Sequence, residues 1–280
     1  MKRETGYSRG VNDEIIVLYP EYKKSGIDCL ELSPGGRDFE NLDIKKAAAS
    51  AAEAGLRINS FHLRFGPFEL YDVSATDEAK RVFAVEYQKK HIKEASECGI
   101  KLFVLHASGE PIAESDRPAR IEASKKSLCE LAEYAAAFGS TIAVEDLPRT
   151  CLGNCSKELL DLVSVDDRLR VCFDTNHLLG EKISDFVRNV GSKIVTTHIS
   201  DYNFIDERHW LPGEGDIDWN ELFDCLDEIG YNGPILYEVN SLKVGHKIER
   251  FRDITPSDIK ANHLCLENRV RPVTFEISKQ

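Results

Sequence analysis

Six short apolar stretches of the sequence each end in a carboxylate or an imidazole. Taken singly, such a residue is more often a core histidine or a solvated carboxylate than a functional group. Taken together, acids gathered in one buried place would raise each other's pKa values unless a cation compensated their charge. Three carboxylates with neutral imidazoles suit Mn²⁺, Zn²⁺, Co²⁺ or Mg²⁺, so the pattern predicts a site for a divalent metal ion. The residues at the six ends are His62, His106, Glu145, Asp174, His198 and Glu238.

The apolar runs that precede these residues predict the strands that must position them. The runs are β-branched or aliphatic and lack strict alternation, which is typical of strands buried on both faces of a parallel sheet. Seven such strands are predicted, at residues 27–32, 57–63, 101–106, 141–145, 170–174, 193–200 and 234–239. An eighth strand near residues 2–8 is expected only by analogy, because that segment is polar. Helical patterns lie between the strands, for example over residues 77–98 and from Pro118 to Gly139.

The alternation of strands and helices predicts an α/β fold, either a doubly wound sheet or a closed barrel. A GxGxxG turn after the first strand, typical of doubly wound dinucleotide binders, is missing from the sequence. Polar residues at the ends of many different strands instead favour a single (β/α)8 TIM barrel. We assign residues 1–240 to the barrel. Residues 241–280 then form an atypical C-terminal extension, with a capped helix from Thr255 and an edge strand over residues 273–278, that packs on the barrel or at a subunit interface of a homo-oligomer.

The composition is that of an ordinary globular protein, with 42% hydrophobic and 30% charged residues. The net charge of −12 favours small polar substrates over a broad grip on nucleic acid or an anionic membrane. The sequence has no run of about 18 apolar residues and no apolar signal-peptide core, which predicts a cytoplasmic protein without membrane contact. Its eight irregularly spaced cysteines are expected to be reduced thiols.

Five motifs resemble the xylose isomerase-like TIM barrel superfamily. They are VEDLP around Glu145, CFDTNH ending at His177, THISD around His198, ERHWLPGEGDIDW from Glu207 and YEVN around Glu238. The similarity spans about residues 11–240 and is nearest to the sugar phosphate isomerase/epimerase family. That family includes ketose 3-epimerases, hydroxypyruvate isomerases and inosose dehydratases.

The resemblance implies an activity and the residues that carry it. Glu145, Asp174, His198 and Glu238 match the ligands of one divalent metal, and Glu145 and Glu238 also match an acid/base pair. Such a metal would stabilise the enediolate of a sugar or sugar phosphate while the two carboxylates remove and return a proton. Arg149 is a candidate contact for a substrate phosphate. Candidates for substrate binding are His62, His106, His177, His209, Glu207, Glu31 and Trp210.

Two other functions remain open at this point. The apurinic-site nuclease endonuclease IV, of the same superfamily, uses three zinc ions, and its ligand pattern maps onto His62, His106, Glu145, Asp174, His177, His198, Glu207, His209 and Glu238. The segment after Glu145 lacks that family's glycine-rich stretch, and no basic, aromatic-rich segment is present to grip DNA. No nucleic-acid partner is therefore expected. The third hypothesis is a barrel that binds a sugar without converting it.

His91, His246 and His263, which lie away from strand ends, are expected at the surface.

Overall fold

Eight parallel strands form the wall of a closed barrel in the computed structural model, which describes residues 2–279. The strands are neighbours in the order β7-β6-β5-β4-β3-β2-β1-β8, and a bridge between Ile199 and Tyr237 joins β7 to β8. This closure confirms the (β/α)8 barrel. The strands are β1 (Thr5–Arg9), β2 (Cys29–Leu32), β3 (Arg57–His62), β4 (Leu102–His106), β5 (Thr141–Glu145), β6 (Arg170–Asp174), β7 (Ile194–His198) and β8 (Ile235–Tyr237).

Ten α-helices surround the strands in the part of the chain that the structure describes. The helix predicted over residues 77–98 has its cap as expected, since the Asp77 side chain accepts hydrogen bonds from the backbone N–H groups of Ala79 and Lys80. Across residues 2–279, every helix is too short or too polar to span a lipid bilayer. The helices are α1 (Asp13–Ile16), α2 (Tyr19–Lys24), α3 (Ile44–Glu53), α4 (Phe68–Tyr71), α5 (Glu78–Glu97), α6 (Arg117–Ala136), α7 (Ser156–Val163), α8 (Ile183–Val190), α9 (Trp219–Glu228) and α10 (Pro256–Glu267).

Strand β1 is the polar strand expected only by analogy near residues 2–8. It is nevertheless buried and pairs with both β2 and β8. Gly6 lies so close to its neighbours that an added Cβ would stand 3.1 Å from the Leu236 side chain and 3.2 Å from Cys29 Sγ. A larger residue at position 6 would crowd these neighbours, and the glycine weakens the apolar signal of the strand.

The C-terminal extension begins with a small antiparallel sheet and continues with α10. The sheet contains β9 (Val244–Gly245), β10 (Ile248–Arg250) and β11 (Glu276–Lys279), and β11 is the edge strand predicted near residues 273–278. Helix α10 starts with the expected capping box at Thr255 and Asp258. It lies against the barrel wall, where Asn262 accepts a hydrogen bond from the Tyr237 hydroxyl and Lys260 donates to Thr5 Oγ1. Through these two contacts, α10 packs on the barrel.

The prediction that His91 and His263 lie at the surface is wrong, because both imidazoles are buried, whereas His246 is exposed. His91 packs edge-on against Phe39 and close to Tyr87. The Nε2 atom of His263, in α10, lies 3.0 Å from the carbonyl oxygen of Arg3. Helix periodicity shows only which residues share a face, and these two faces pack against the barrel.

The burial of His263 predicts a specific sensitivity to acid. Burial lowers the pKa of His263 from 6.5 to about 4, so its contribution to stability is present above pH 6.5 and is lost as the pH falls towards 4. By linkage, wild-type protein should lose about 2 kcal/mol of unfolding free energy through this group between pH 7 and pH 5. We expect His263→Gln to lose correspondingly less when urea unfolding is measured at the two pH values. Equal losses in the two proteins would contradict the assignment.

Candidate metal centre

Four side chains meet at the carboxyl ends of neighbouring strands. Glu145, Asp174 and His198 are the last residues of β5, β6 and β7, and Glu238 follows β8. One donor atom from each lies within 4.8 Å of the others. The imidazole is central, because His198 Nδ1 is 2.7 Å from Glu145 Oε1, 3.3 Å from Glu238 Oε2 and 3.8 Å from Asp174 Oδ2. The four predicted metal ligands thus form one cluster.

Strand register explains why these residues converge. Asp174 is paired with His198 across β6 and β7, and Glu145 is paired with His106 across β4 and β5. Side chains at strand ends in a closed barrel turn towards its mouth. Asp146, which follows Glu145 in the chain, helps to position Asp174. Its carboxylate accepts a hydrogen bond from the Asp174 backbone N–H at 2.7 Å.

The electrostatics of the cluster fit a divalent cation. Burial, with the negative charges of Glu238 and Glu145, raises the pKa of Asp174 to about 7, and its Oδ2 is buried without a hydrogen-bond partner. Burial also opposes ionisation of Glu145, but His198 and hydrogen bonds from His106 and His62 hold its pKa well below 4.5. Buried carboxylates with an unpartnered oxygen are a typical environment for a metal ion. The four residues therefore suit a divalent metal by their chemistry as well as by their spacing.

The remaining predicted histidines surround this cluster. His62 Nε2 and His106 Nε2 lie 3.2 Å and 3.0 Å from Glu145 Oε2. On the other side, His177 Nε2 is 3.1 Å from Glu207 Oε1. His177, Glu207 and His209 form a second group whose donor atoms lie within 4.8 Å of one another, and His62, Glu145 and His198 form a third.

A cavity of about 250 Å³ opens onto these residues. Its wall includes aromatic and acidic side chains that the sequence pattern does not single out, because they lie beyond the strand ends. Phe65, for example, stacks on His106 with ring centres 4.2 Å apart. A larger groove of about 950 Å³ lies between α3 and α5 and is lined by none of the predicted site residues. The lining of the smaller cavity is His62, Phe65, Phe68, His106, Glu110, Glu145, Leu147, Pro148, Arg149, Cys151, His177, Glu207, His209 and Glu238.

Two candidates for substrate contact lie elsewhere. Glu31 is fully buried and Trp210 is 1% exposed, and neither lines the cavity. The Trp210 indole N–H donates a hydrogen bond to the carbonyl oxygen of His246, which attaches the C-terminal extension to the barrel. The structure thus places both predicted substrate-contact residues outside the cavity lining, because strand and loop position alone do not reveal the depth of a side chain.

Arg149 lies at the cavity rim with a left-handed backbone, at φ 52°. Its guanidinium forms ion pairs with Glu110, Asp206 and Glu207. These three acids come from the segments after β4 and β7, so Arg149 joins three loops. A phosphate would have to compete with three carboxylates for this side chain.

Comparisons with known proteins agree with the barrel fold. The family model for the xylose isomerase-like TIM barrel matches residues 20–256. A D-psicose 3-epimerase of Ruminiclostridium cellulolyticum is 29% identical over 247 residues, covering 83% of this chain and 81% of the relative. An uncharacterised protein of Methanocaldococcus jannaschii is 30% identical over 186 residues, covering 63% of this chain and 64% of that protein's length. The crystal structure of a D-tagatose 3-epimerase-like protein shares the fold, with a TM-score of 0.78, 23% identity, and coverage of 95% of this chain and 98% of that one. The chain belongs to the xylose isomerase-like TIM barrel family.

Proposed function

We propose that this protein is a divalent-metal-dependent sugar isomerase or epimerase that moves a proton beside a ketose carbonyl. The observation that carries the proposal is the pair Glu145 and Glu238, whose carboxylates lie 2.7 Å and 3.3 Å from the same atom, His198 Nδ1, and which both line the cavity. The similarity to a ketose-epimerising relative over most of both chains supports the same activity class.

The two glutamates differ in environment in a way that suits proton transfer. Glu145 is 1% exposed, and nitrogens of His62, His106 and His198 lie within 3.2 Å of its carboxylate, which favours the ionised form that a general base needs. Glu238 has 31% of its side chain exposed, so it can exchange a proton with the cavity. A divalent cation held by Glu145, Asp174, His198 and Glu238 would stabilise the negative charge that develops on the substrate oxygens.

The cavity wall supplies groups for the rest of a sugar. His62, His106, His177 and His209 can exchange hydrogen bonds with hydroxyl groups, because a neutral imidazole offers one donor and one acceptor. Glu207 accepts from His177 and orients it. We propose these residues as the substrate-binding set.

Isotope exchange tests the proposal directly. Protein loaded with Mn²⁺, Co²⁺, Zn²⁺ or Mg²⁺ is incubated in D₂O with a panel of ketoses and ketose phosphates. We expect deuterium to enter at the carbon beside the carbonyl of at least one sugar, detected by NMR. A barrel that only binds sugars would show saturable affinity without incorporation, and that result would contradict the proposed activity.

One observation favours the nuclease as a second candidate. His177, Glu207 and His209 could hold a further metal ion beside the first, as a multi-zinc nuclease requires. The charge of the cavity opposes it, since the described lining carries Glu110, Glu145, Glu207 and Glu238 but, as its positive side chain, only the ion-paired Arg149. Metal content measured by mass spectrometry should approach one ion per chain. Three zinc ions together with nicking of abasic DNA would favour the nuclease.

A further inference from the structure

Glu31 is a carboxylate inside the barrel with no access to the cavity. It is the third residue of β2, and its side chain is 0% exposed. A buried carboxylate is strongly destabilising unless hydrogen bonds or an opposite charge compensate it. Its neighbours therefore indicate why a glutamate occupies this position.

Two serines on the flanking strands hold the carboxylate. Ser8 Oγ, in β1, donates to Glu31 Oε1 at 2.9 Å, and Ser60 Oγ, in β3, donates to Glu31 Oε2 at 2.8 Å. Both hydroxyls are themselves buried. Because each carboxylate oxygen accepts a hydrogen bond, Glu31 is fixed as an acceptor between its two neighbouring strands.

The third neighbour of Glu31 is the histidine of the candidate metal centre. His198 Nε2 lies 2.9 Å from Glu31 Oε1, a close contact that is not aligned as a hydrogen bond. The other ring nitrogen, Nδ1, is hydrogen-bonded to Glu145 Oε1 at 2.7 Å and also faces Asp174 and Glu238. The imidazole thus has a fixed acceptor on one side and the candidate ligand cluster on the other.

This arrangement bears on which nitrogen can bind a metal. A neutral imidazole carries one N–H and one lone pair, and only the lone pair can coordinate a cation. An acceptor beside Nε2 stabilises the form with its proton on Nε2. A proton on Nδ1, which Glu145 could accept in a hydrogen bond, would occupy the position that a cation needs.

We propose that Glu31, held by Ser8 and Ser60, is a positioning residue that keeps the His198 proton on Nε2 and leaves Nδ1 free to coordinate the divalent cation. The inference rests on the metal centre of the proposed function. It assigns Glu31 to metal binding through His198 instead of to substrate contact. Outer partners of ligating histidines typically contribute about 10- to 100-fold to metal affinity.

Metal affinity of a Glu31→Gln variant tests the inference without any sugar. A glutamine of the same size can donate its amide N–H to Nε2 and so favour the proton on Nδ1. Isothermal titration with Mn²⁺ should show affinity weakened by about 10- to 100-fold. In metal-free protein, ¹⁵N NMR of the imidazole should show a smaller fraction of the form with its proton on Nε2 in the variant than in wild type. Affinity within twofold of wild type, or an unchanged tautomer, would overturn the inference.

A second variant decides the matter if Glu31→Gln fails to fold. Ser60→Ala removes one hydrogen bond to Glu31 and should weaken Mn²⁺ binding by about fivefold, the equivalent of one ordinary hydrogen bond. Ser96→Ala is the matched control, because it also removes a buried hydroxyl, which is 2.9 Å from Ser140 Oγ at the opposite end of the barrel. Equal affinity in the two serine variants would overturn the role of Glu31.

The same titrations separate this inference from the proposed function. Wild-type protein that binds Mn²⁺ but never exchanges deuterium would overturn the sugar isomerase activity, while the ratio of wild-type to variant affinity would still decide the role of Glu31. Wild-type protein that fails to bind any divalent cation would overturn both.

Discussion

Replacing Glu145 or Glu238 by glutamine is expected to slow deuterium exchange beside the ketose carbonyl by about 10²- to 10⁴-fold, the usual contribution of a positioned acid or base. Glutamine preserves size but cannot accept a proton. Both side chains line the cavity, at 2.7 Å and 3.3 Å from His198 Nδ1. Each variant therefore removes one of the two carboxylates that we assign to proton transfer. Exchange is measured by NMR at saturating sugar.

Because both glutamates are also proposed metal ligands, the metal content of each variant must be known. Exchange rates are therefore compared at Mn²⁺ concentrations that saturate each protein. Glu114→Gln serves as the control, since this carboxylate is exposed and lies before α6, away from the cavity lining. Near wild-type exchange in both metal-saturated variants would show that the proton is moved by other groups.

The second large effect concerns stability and the C-terminal extension. Arg250→Met is expected to lower the free energy of unfolding by about 3–5 kcal/mol, as when one partner of a buried ion pair is removed. Arg250 and Glu214 are both fully buried, with Arg250 Nη2 2.7 Å from Glu214 Oε2. The guanidinium also donates to the carbonyl oxygens of Asn240 and Leu242. Its loss would leave the Glu214 charge buried without a cationic partner.

Urea unfolding with a matched control measures this effect. Arg252→Met removes an ion pair to Asp258 in which the arginine side chain is 42% exposed, and such pairs contribute about 0–1 kcal/mol. A double replacement, Arg250→Met with Glu214→Leu, should recover part of the lost stability because no charge remains buried. A loss below about 1 kcal/mol for Arg250→Met alone would mean that the charge of Glu214 is compensated in another way.

Strand sequences explain how much of the fold was predictable. Strands β5 and β6 coincide with the predicted ranges because their apolar runs are flanked by polar residues on both sides. Strand β1 could not be located with the same security, since Gly6 and its hydroxyl-bearing neighbours satisfy close packing and hydrogen bonds that only the closed barrel creates. Pairing in three dimensions, and not local hydrophobicity, specifies that strand.

Part of the candidate site could likewise be predicted from the sequence, and part of it could not. The residues at strand ends could be predicted to converge, because barrel topology brings all carboxyl ends to one face. The depth of a side chain below the cavity could not be predicted. Glu31 belongs to a strand like the others, yet it lies beneath His198 and outside the cavity lining. Nor could the ion pairs of Arg149, which depend on the conformations of three loops that are distant in sequence.

The pairing of β1 with β8 sets a condition on folding during synthesis. Thr5 pairs with Ile235, so the first strand of the barrel meets its second neighbour only after 230 further residues have been made. At ribosomal rates of about 5–20 residues per second, that wait lasts roughly 10–50 s. During this time one edge of β1 has no strand to pair with, and α10, whose Lys260 contacts Thr5, has not yet been synthesised. A nascent chain of this protein is therefore expected to be a client for ribosome-associated chaperones until its last helix emerges.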